Sequence, residues 1–291
     1  MKRLPIFLFI FLLALPAVRI SAAGPDRQAV LRAEVGFLCD SLSAGRAFGT
    51  PGAQLGTFYL LRQLRDAGLR TTVQSFSAGG RVGHNVVAVT PGWFRRYIVV
   101  GAYADGLGTL GDRVYPGADA NASGIAALLA LARELPADCR GEVGIVFVAF
   151  DGHKANLAGA EAFLQAFREQ YPPILMVNLD QLGSSLAPVR RGRPDYLIAL
   201  GGEPYRAALE AANTTALDLS YDYYGNSSIT ELFYRRISDQ RWFLEAGIPA
   251  VMFTSGITEH TNKISDTPAT LDYPLLDRRI SLIAAWLRSR L

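Results

Sequence analysis

The chain has 291 residues, half of them hydrophobic, with 29 basic against 26 acidic side chains. That length and composition provide for one substantial core and exclude a disordered or low-complexity protein. The small positive excess lies in Lys2, Arg3 and Arg19, and the remainder is neutral at 26 of each sign, so nothing in the charge points to nucleic acid or an anionic membrane.

Lys2 and Arg3 precede an apolar stretch from Leu4 to Val18, and Ser21-Ala22-Ala23 supplies the small residues of a signal-peptidase site. The spacing predicts a leader over residues 1–23, cleaved after Ala23, with an uncleaved anchor as the alternative. The expected mature chain, 24–291, is then exported, either periplasmic or secreted, and has no membrane partner once the leader is removed. The stretch is short for a membrane span, and no cysteine near the junction offers a lipid anchor.

The mature chain reads as alternating helices and strands. Helices are expected over Ala29 to Leu42 and in a segment with Leu55, Phe58, Leu61 and Leu64 as its apolar positions, ending at Gly68. Strands follow at Thr71 to Phe76, Asn85 to Thr90 and Tyr97 to Tyr103, the last with Ile98-Val99-Val100 suited to burial on both faces. Helix Ala122 to Leu135, strand Val143 to Phe150, helix Leu157 to Phe167 and strand Ile174 to Leu179 continue the pattern. Residues 183–193 read as a loop. Strand Tyr196 to Leu200, helices Pro204 to Ala212 and Gln240 to Ala246, strand Ala250 to Thr254 and helix Leu275 to Leu287 complete it. Such alternation predicts one domain of the α/β class, a three-layer α/β/α sandwich with a mixed, mainly parallel central sheet.

In open α/β sheets ligands gather beyond the carboxyl ends of the strands, where this sequence places its unusual polar residues. Tyr103 leads to Asp105, Phe150 to Asp151, His153 and Lys154, and Leu179 to Asp180, while the last strand leads to Glu259-His260-Thr261. Asp119 sits in Pro116-Gly117-Ala118-Asp119-Ala120-Asn121-Ala122-Ser123-Gly124, just before a helix. Several of these residues also have plain structural readings. Asp105 and Asp119 suit caps, His153 and Lys154 a solvated loop, and His84 matches no motif. The tyrosines of Tyr221-Asp222-Tyr223-Tyr224 suit either packing or a ligand-stacking wall. Asn213-Thr214-Thr215 and Asn226-Ser227-Ser228 have the form of glycosylation acceptors.

With these motifs, the chain resembles the di-zinc exopeptidases that include leucyl-type aminopeptidases, glutaminyl cyclases and the transferrin-receptor ectodomain. The Pro116–Gly124 segment is similar to that family's bridging-aspartate motif, with Ala120 in place of its second aspartate. Phe150 to Gly159, Asn178-Leu179-Asp180, Ser238-Asp239 through Gly247-Ile248-Pro249-Ala250, and His260-Thr261 with Asp266-Thr267 follow in the family's order. The resemblance implies metal ligands at Asp119, Asp180 and His260. It also implies that Tyr103 stands where the family has a histidine ligand, and that His153 and Lys154 stand where it has the Glu-Glu pair of general base and ligand. Asp105 would sit just behind the metal site.

A catalytic zinc needs three protein ligands and an open position for water. A neutral tyrosine and an ammonium without a lone pair are poor replacements, although His153 has the ordinary pKa of a general base. The leading expectation is therefore a family member with a decayed metal centre and no cofactor, a pseudoenzyme that binds a peptide, glycan or protein partner in the old cleft. The alternative is an active zinc-dependent exopeptidase or related amide hydrolase with a rebuilt site. Lys154 is expected to replace the lost metal charge among the carboxylates. Cys39 and Cys139 fit either a disulfide, which export permits, or two free thiols.

Overall fold

The computed structural model describes residues 26–291, so the leader expected at 1–23 lies outside it. Helix α1 (Arg27–Leu38) is capped by Asp26 and buries Leu31, Val35 and Leu38. It stops before the expected Leu42 because the Asp40 carboxylate accepts from Leu42 N at 2.9 Å and turns the chain into a 3₁₀ segment, Ser41–Arg46. Helix α2 (Pro51–Asp66) buries Gly52, Gly56, Leu60 and Leu64, whereas Phe58, expected to face inward, is 70% exposed. The inward stripe is set by close approach, since a Cβ at Gly52 would lie 2.0 Å from the Ser43 carbonyl oxygen.

Strands β1 (Arg70–Ala78) and β2 (Arg81–Val89) form a hairpin. Its two-residue turn is Gly79-Gly80, both with positive φ, the backbone that such turns demand. Then come β3 (Arg96–Tyr103), a small hairpin of β4 (Gly108–Leu110) and β5 (Arg113–Tyr115), α3 (Ser123–Glu134) and β6 (Val143–Phe150). Next are α4 (Ala158–Phe167), β7 (Pro173–Leu179), β8 (Tyr196–Leu200), α5 (Arg206–Ala212) and β9 (Asp218–Ser220). The chain ends with α6 (Ser227–Arg235), α7 (Gln240–Glu245), β10 (Ala250–Thr254) and α8 (Tyr273–Arg288).

The main sheet has eight strands in the order β1-β2-β6-β3-β7-β10-β8-β9. Its centre, β6-β3-β7-β10, is parallel, while β2 and β8 run antiparallel to their inner neighbours. This is the mixed, mostly parallel α/β sheet expected. Alternate residues feed two cores: Ile98, Val100, Ile145, Phe147 and Val177 face α1, α2, α3 and α8, and Val99, Val146, Val148 and Phe150 face α4 and α7. Ile98-Val99-Val100 is thus buried on both faces, as a central parallel strand requires. Among the described residues no helix is long and apolar enough to cross a membrane.

Of the two readings left open for Cys39 and Cys139, the structure has the free thiols. Both cysteines are free thiols, with Cys39 Sγ donating to the Pro116 carbonyl at 3.6 Å and Cys139 Sγ to the Leu135 carbonyl at 3.8 Å. Each thiol has its own local acceptor, and burial raises the pKa of both.

Candidate functional site

Parallel alignment of β3, β6, β7 and β10 brings Tyr103, the Asp151–Lys154 loop, Asp180 and Ser255 to one edge of the sheet. Asn121 fastens that edge. Its Nδ2 donates to the carbonyls of Tyr103 (3.3 Å) and Leu179 (2.9 Å), and its Oδ1 accepts from Gln181 N (2.9 Å) and Gly124 N (3.2 Å). Asn85 does the same for the neighbouring loop, accepting from Asp151 N at 2.9 Å and donating to the Gly159 carbonyl at 2.8 Å.

The site residues divide into two groups. In the first, Asp119 Oδ1 accepts from Gly183 N (2.7 Å) and Ser123 Oγ (3.0 Å), while Oδ2 is buried without a partner. Asp266 cradles this turn, its carboxylate accepting from the backbone N–H of Asp119 at 2.7 Å and of Ala120 at 3.0 Å. Burial and the Asp266 charge push the Asp119 pKa up to about 7. His260 lies half-exposed with its Nδ1 3.0 Å from Ser265 Oγ.

The second group faces a cleft of about 160 Å³, lined by Tyr103, His153, Lys154, Asp180 and Gln181 together with Thr254, Thr261, Asn262 and the side chains of Tyr223, Phe233, Ile237, Met252 and Ile257. Asp180 Oδ2 accepts from Ser238 Oγ at 2.6 Å, and its buried Oδ1 has no partner. His153 Nδ1 lies 2.8 Å from the fully buried Asp239 carboxylate, and the imidazole stacks on the Tyr103 ring at 3.8 Å. Burial opposes charge on this ring, but the Asp239 and Asp180 carboxylates outweigh it and raise the pKa above the usual value. Burial first, then the surrounding aspartates, raise the Tyr103 phenol far above its ordinary range. Asp105 supports the loop from beneath, accepting from His153 N (2.9 Å) and Lys154 N (3.0 Å).

Lys154 departs from its expected role. Its ammonium is exposed, 3.4 Å from Asn262 Oδ1 and 5.1 Å from the Tyr103 ring centroid, with no carboxylate in ion-pair reach among the described residues. Burial raises the Asp180 pKa, and the charges of His153 and, less strongly, Lys154 only partly offset it. An ammonium on a four-carbon stem reaches water, where hydration costs nothing. Asp239 and Ser238 were visible in sequence only as members of a motif, and their position just before α7 was the one signal of a role. Of the tyrosine cluster, Tyr223 forms part of the cleft wall, stacked on Phe233 at 4.4 Å. His84 sits on the sheet's outer hairpin with its Nδ1 3.0 Å from Ser75 Oγ.

The profile of peptidase family M28 matches residues 85–287. The chain belongs to peptidase family M28. In E. coli K12 it is similar to the alkaline phosphatase isozyme conversion protein, 29% identical over 162 residues, covering 47% of this chain and 47% of that protein. The chain thus spans about half the length of that relative. Among solved structures it is similar to the Bacillus subtilis zinc aminopeptidase BSAP, with a TM-score of 0.72 and 14% identity over 91% of this chain and 95% of that one. Likewise, Porphyromonas gingivalis glutaminyl cyclase gives a TM-score of 0.70 and 16% identity over 91% and 98%. Likeness at this identity establishes the M28 fold. Among the described residues of this M28 chain, no group of three or more His, Cys, Asp or Glu side chains is arranged to hold a metal ion.

Proposed function

We propose that this M28 chain is an exported, non-catalytic member that holds a small peptide-like ligand in the family's cleft. The donor set carries the reading. Zinc needs three lone-pair ligands and an open water position, and a buried neutral phenol at Tyr103 together with an ammonium at Lys154 does not fit it. His153 has one ring nitrogen committed to Asp239, so one imidazole cannot replace two glutamates. Asp119 and Asp180 each already accept a hydrogen bond, from Gly183 N and from Ser238 Oγ. A peptide-like ligand suits the cleft better than a glycan, because its lining combines a carboxylate, an ammonium and several apolar side chains. Export rests on the leader sequence, Lys2 to Ala23.

The test is hydrolysis of aminoacyl-nitroanilides and short peptides by the purified mature chain, with added zinc and with chelator, alongside metal analysis. No turnover is expected under any condition. Chelator-sensitive turnover abolished by Asp119→Ala would establish an active zinc exopeptidase instead.

A further inference from the structure

The cleft holds an acidic and a basic side chain, each with unused hydrogen-bonding capacity. Asp180, only 5% exposed, uses one carboxylate oxygen for Ser238 and leaves the other buried and unpartnered at the cleft. A buried carboxylate oxygen without a donor is costly. In the same cleft, Lys154 Nζ spends one of its three hydrogens on Asn262 at 3.4 Å and meets no carboxylate among the described residues. The same cleft is also lined by Tyr223, Phe233, Ile237, Met252 and Ile257, which supply an apolar wall with Ile237 and Ile257 40% and 46% exposed. That wall is firmly built: Tyr223 stacks flat on Phe233, and its hydroxyl accepts from Ile257 N at 2.7 Å.

We propose that the cleft binds a free α-amino acid with an apolar side chain, its ammonium on Asp180, its carboxylate on Lys154 and its side chain against the tyrosine–isoleucine wall. The inference deepens the cleft-binding reading and rests on it. Size supports a single residue, since about 160 Å³ is well below the roughly 300 Å³ at which sites for drug-sized ligands begin. Charge separates a free amino acid from a peptide end: in a peptide the first carboxyl is an amide, which leaves the Lys154 ammonium without an anion. Glutamate at both loop positions would make this mouth doubly negative and repel a ligand carboxylate. His153-Lys154 reverses that sign, and Asp239 holds the imidazole back from the opening.

The experiment is isothermal titration calorimetry on the mature chain at constant pH, with chelator present, using L-leucine, L-leucinamide, N-acetyl-L-leucine and the peptide Leu-Gly-Gly. Leucine should bind, and removing either ligand charge should weaken binding by about tenfold or more. Lys154→Met, an exposed substitution that leaves the core untouched, should weaken leucine by a similar factor and leave leucinamide unchanged. The proposal is overturned if leucine does not bind, if leucine and leucinamide bind alike, or if Lys154→Met leaves leucine affinity intact. Leu-Gly-Gly binding more tightly than leucine, indifferent to Lys154, would sink the amino-acid reading and keep the peptide-binding cleft. Metal-dependent hydrolysis is read in the separate assay, so the two failures are distinguishable.

Discussion

At the residue scale, the decisive pair is His153 and Asp239. The His153 pKa is raised, against the effect of burial, because a fully buried carboxylate sits 2.8 Å from Nδ1. With Asp239→Asn, burial becomes the dominant influence and the imidazole pKa should fall below its usual value. NMR titration reads this directly, since the protein has only three histidines to assign. An unmoved His153 pKa would remove Asp239 as the cause. Lys154 gives the contrasting case. An ammonium buried among carboxylates would be costly to delete, but this one is exposed on Asn262. Lys154→Met should therefore change stability by no more than about 0.5 kcal/mol, read as an unchanged melting temperature. A fall of several degrees would place the ammonium inside the cluster after all.

At the scale of elements, the site depends on how the α1–α2 connection meets the strand ends. Arg46, fully buried and with a left-handed backbone at φ 54°, donates to the carbonyls of Leu38, Ala104 (3.1 Å), Pro116 (2.9 Å) and Gly117 (3.0 Å). It thereby ties α1 to the segments that carry Asp105 and Asp119. Arg46→Met should cost about 3 kcal/mol or more, because several buried carbonyls lose their donor together. A urea midpoint within error of wild type would show that water replaces the guanidinium. None of this was legible in the sequence, where Arg46 is one arginine in a Gly-rich turn. The regular elements were legible, because β3, β6, β7 and β10 are near-continuous apolar runs and α3 is apolar on every face. Four short elements were missed, β4, β5, β9 and α6. In α6 Ile229, Leu232 and Phe233 do fall at helical spacing after the Asn226 cap, but the helix is only nine residues long, none of them is fully buried, and Ile229 and Leu232 stay exposed, so the short stripe was passed over. The site's residues were readable at strand ends, whereas their partition into two hydrogen-bonded groups depends on Ser123, Ser238 and Asp266, whose side-chain directions no spacing encodes.

At the scale of the whole molecule, one edge of the sheet gathers the buried aspartates Asp105, Asp119, Asp151, Asp180, Asp239 and Asp266 with few cations. Burial, reinforced by a neighbouring carboxylate in each case, raises both Asp119 and Asp151 to about 7. On the other side of the molecule burial also lifts Glu34 to about 7, against the lowering influence of its Arg133 partner. Each folded pKa lies above the unfolded carboxyl value. The native state therefore retains protons that the unfolded chain has released, between about pH 4 and pH 7. The raised His153 pKa acts in the same direction. Stability should be greatest near the acid end of this window and decline as pH rises through 7. Even one retained proton gives a slope of about 1.4 kcal/mol per pH unit. Asp119→Asn provides the internal check. Its Oδ1 can still accept from Gly183 and Ser123, and the amide nitrogen takes the place of the unpartnered Oδ2. The variant should match wild type near pH 5, exceed it in stability at pH 8 and show a shallower pH profile. Urea unfolding of both proteins at several pH values decides the matter. A wild-type stability that rises from pH 5 to pH 8, or an Asp119→Asn variant less stable than wild type at pH 8, would mean that the carboxylates are neutralised by a cation, and with it the metal-free account of this site would fail.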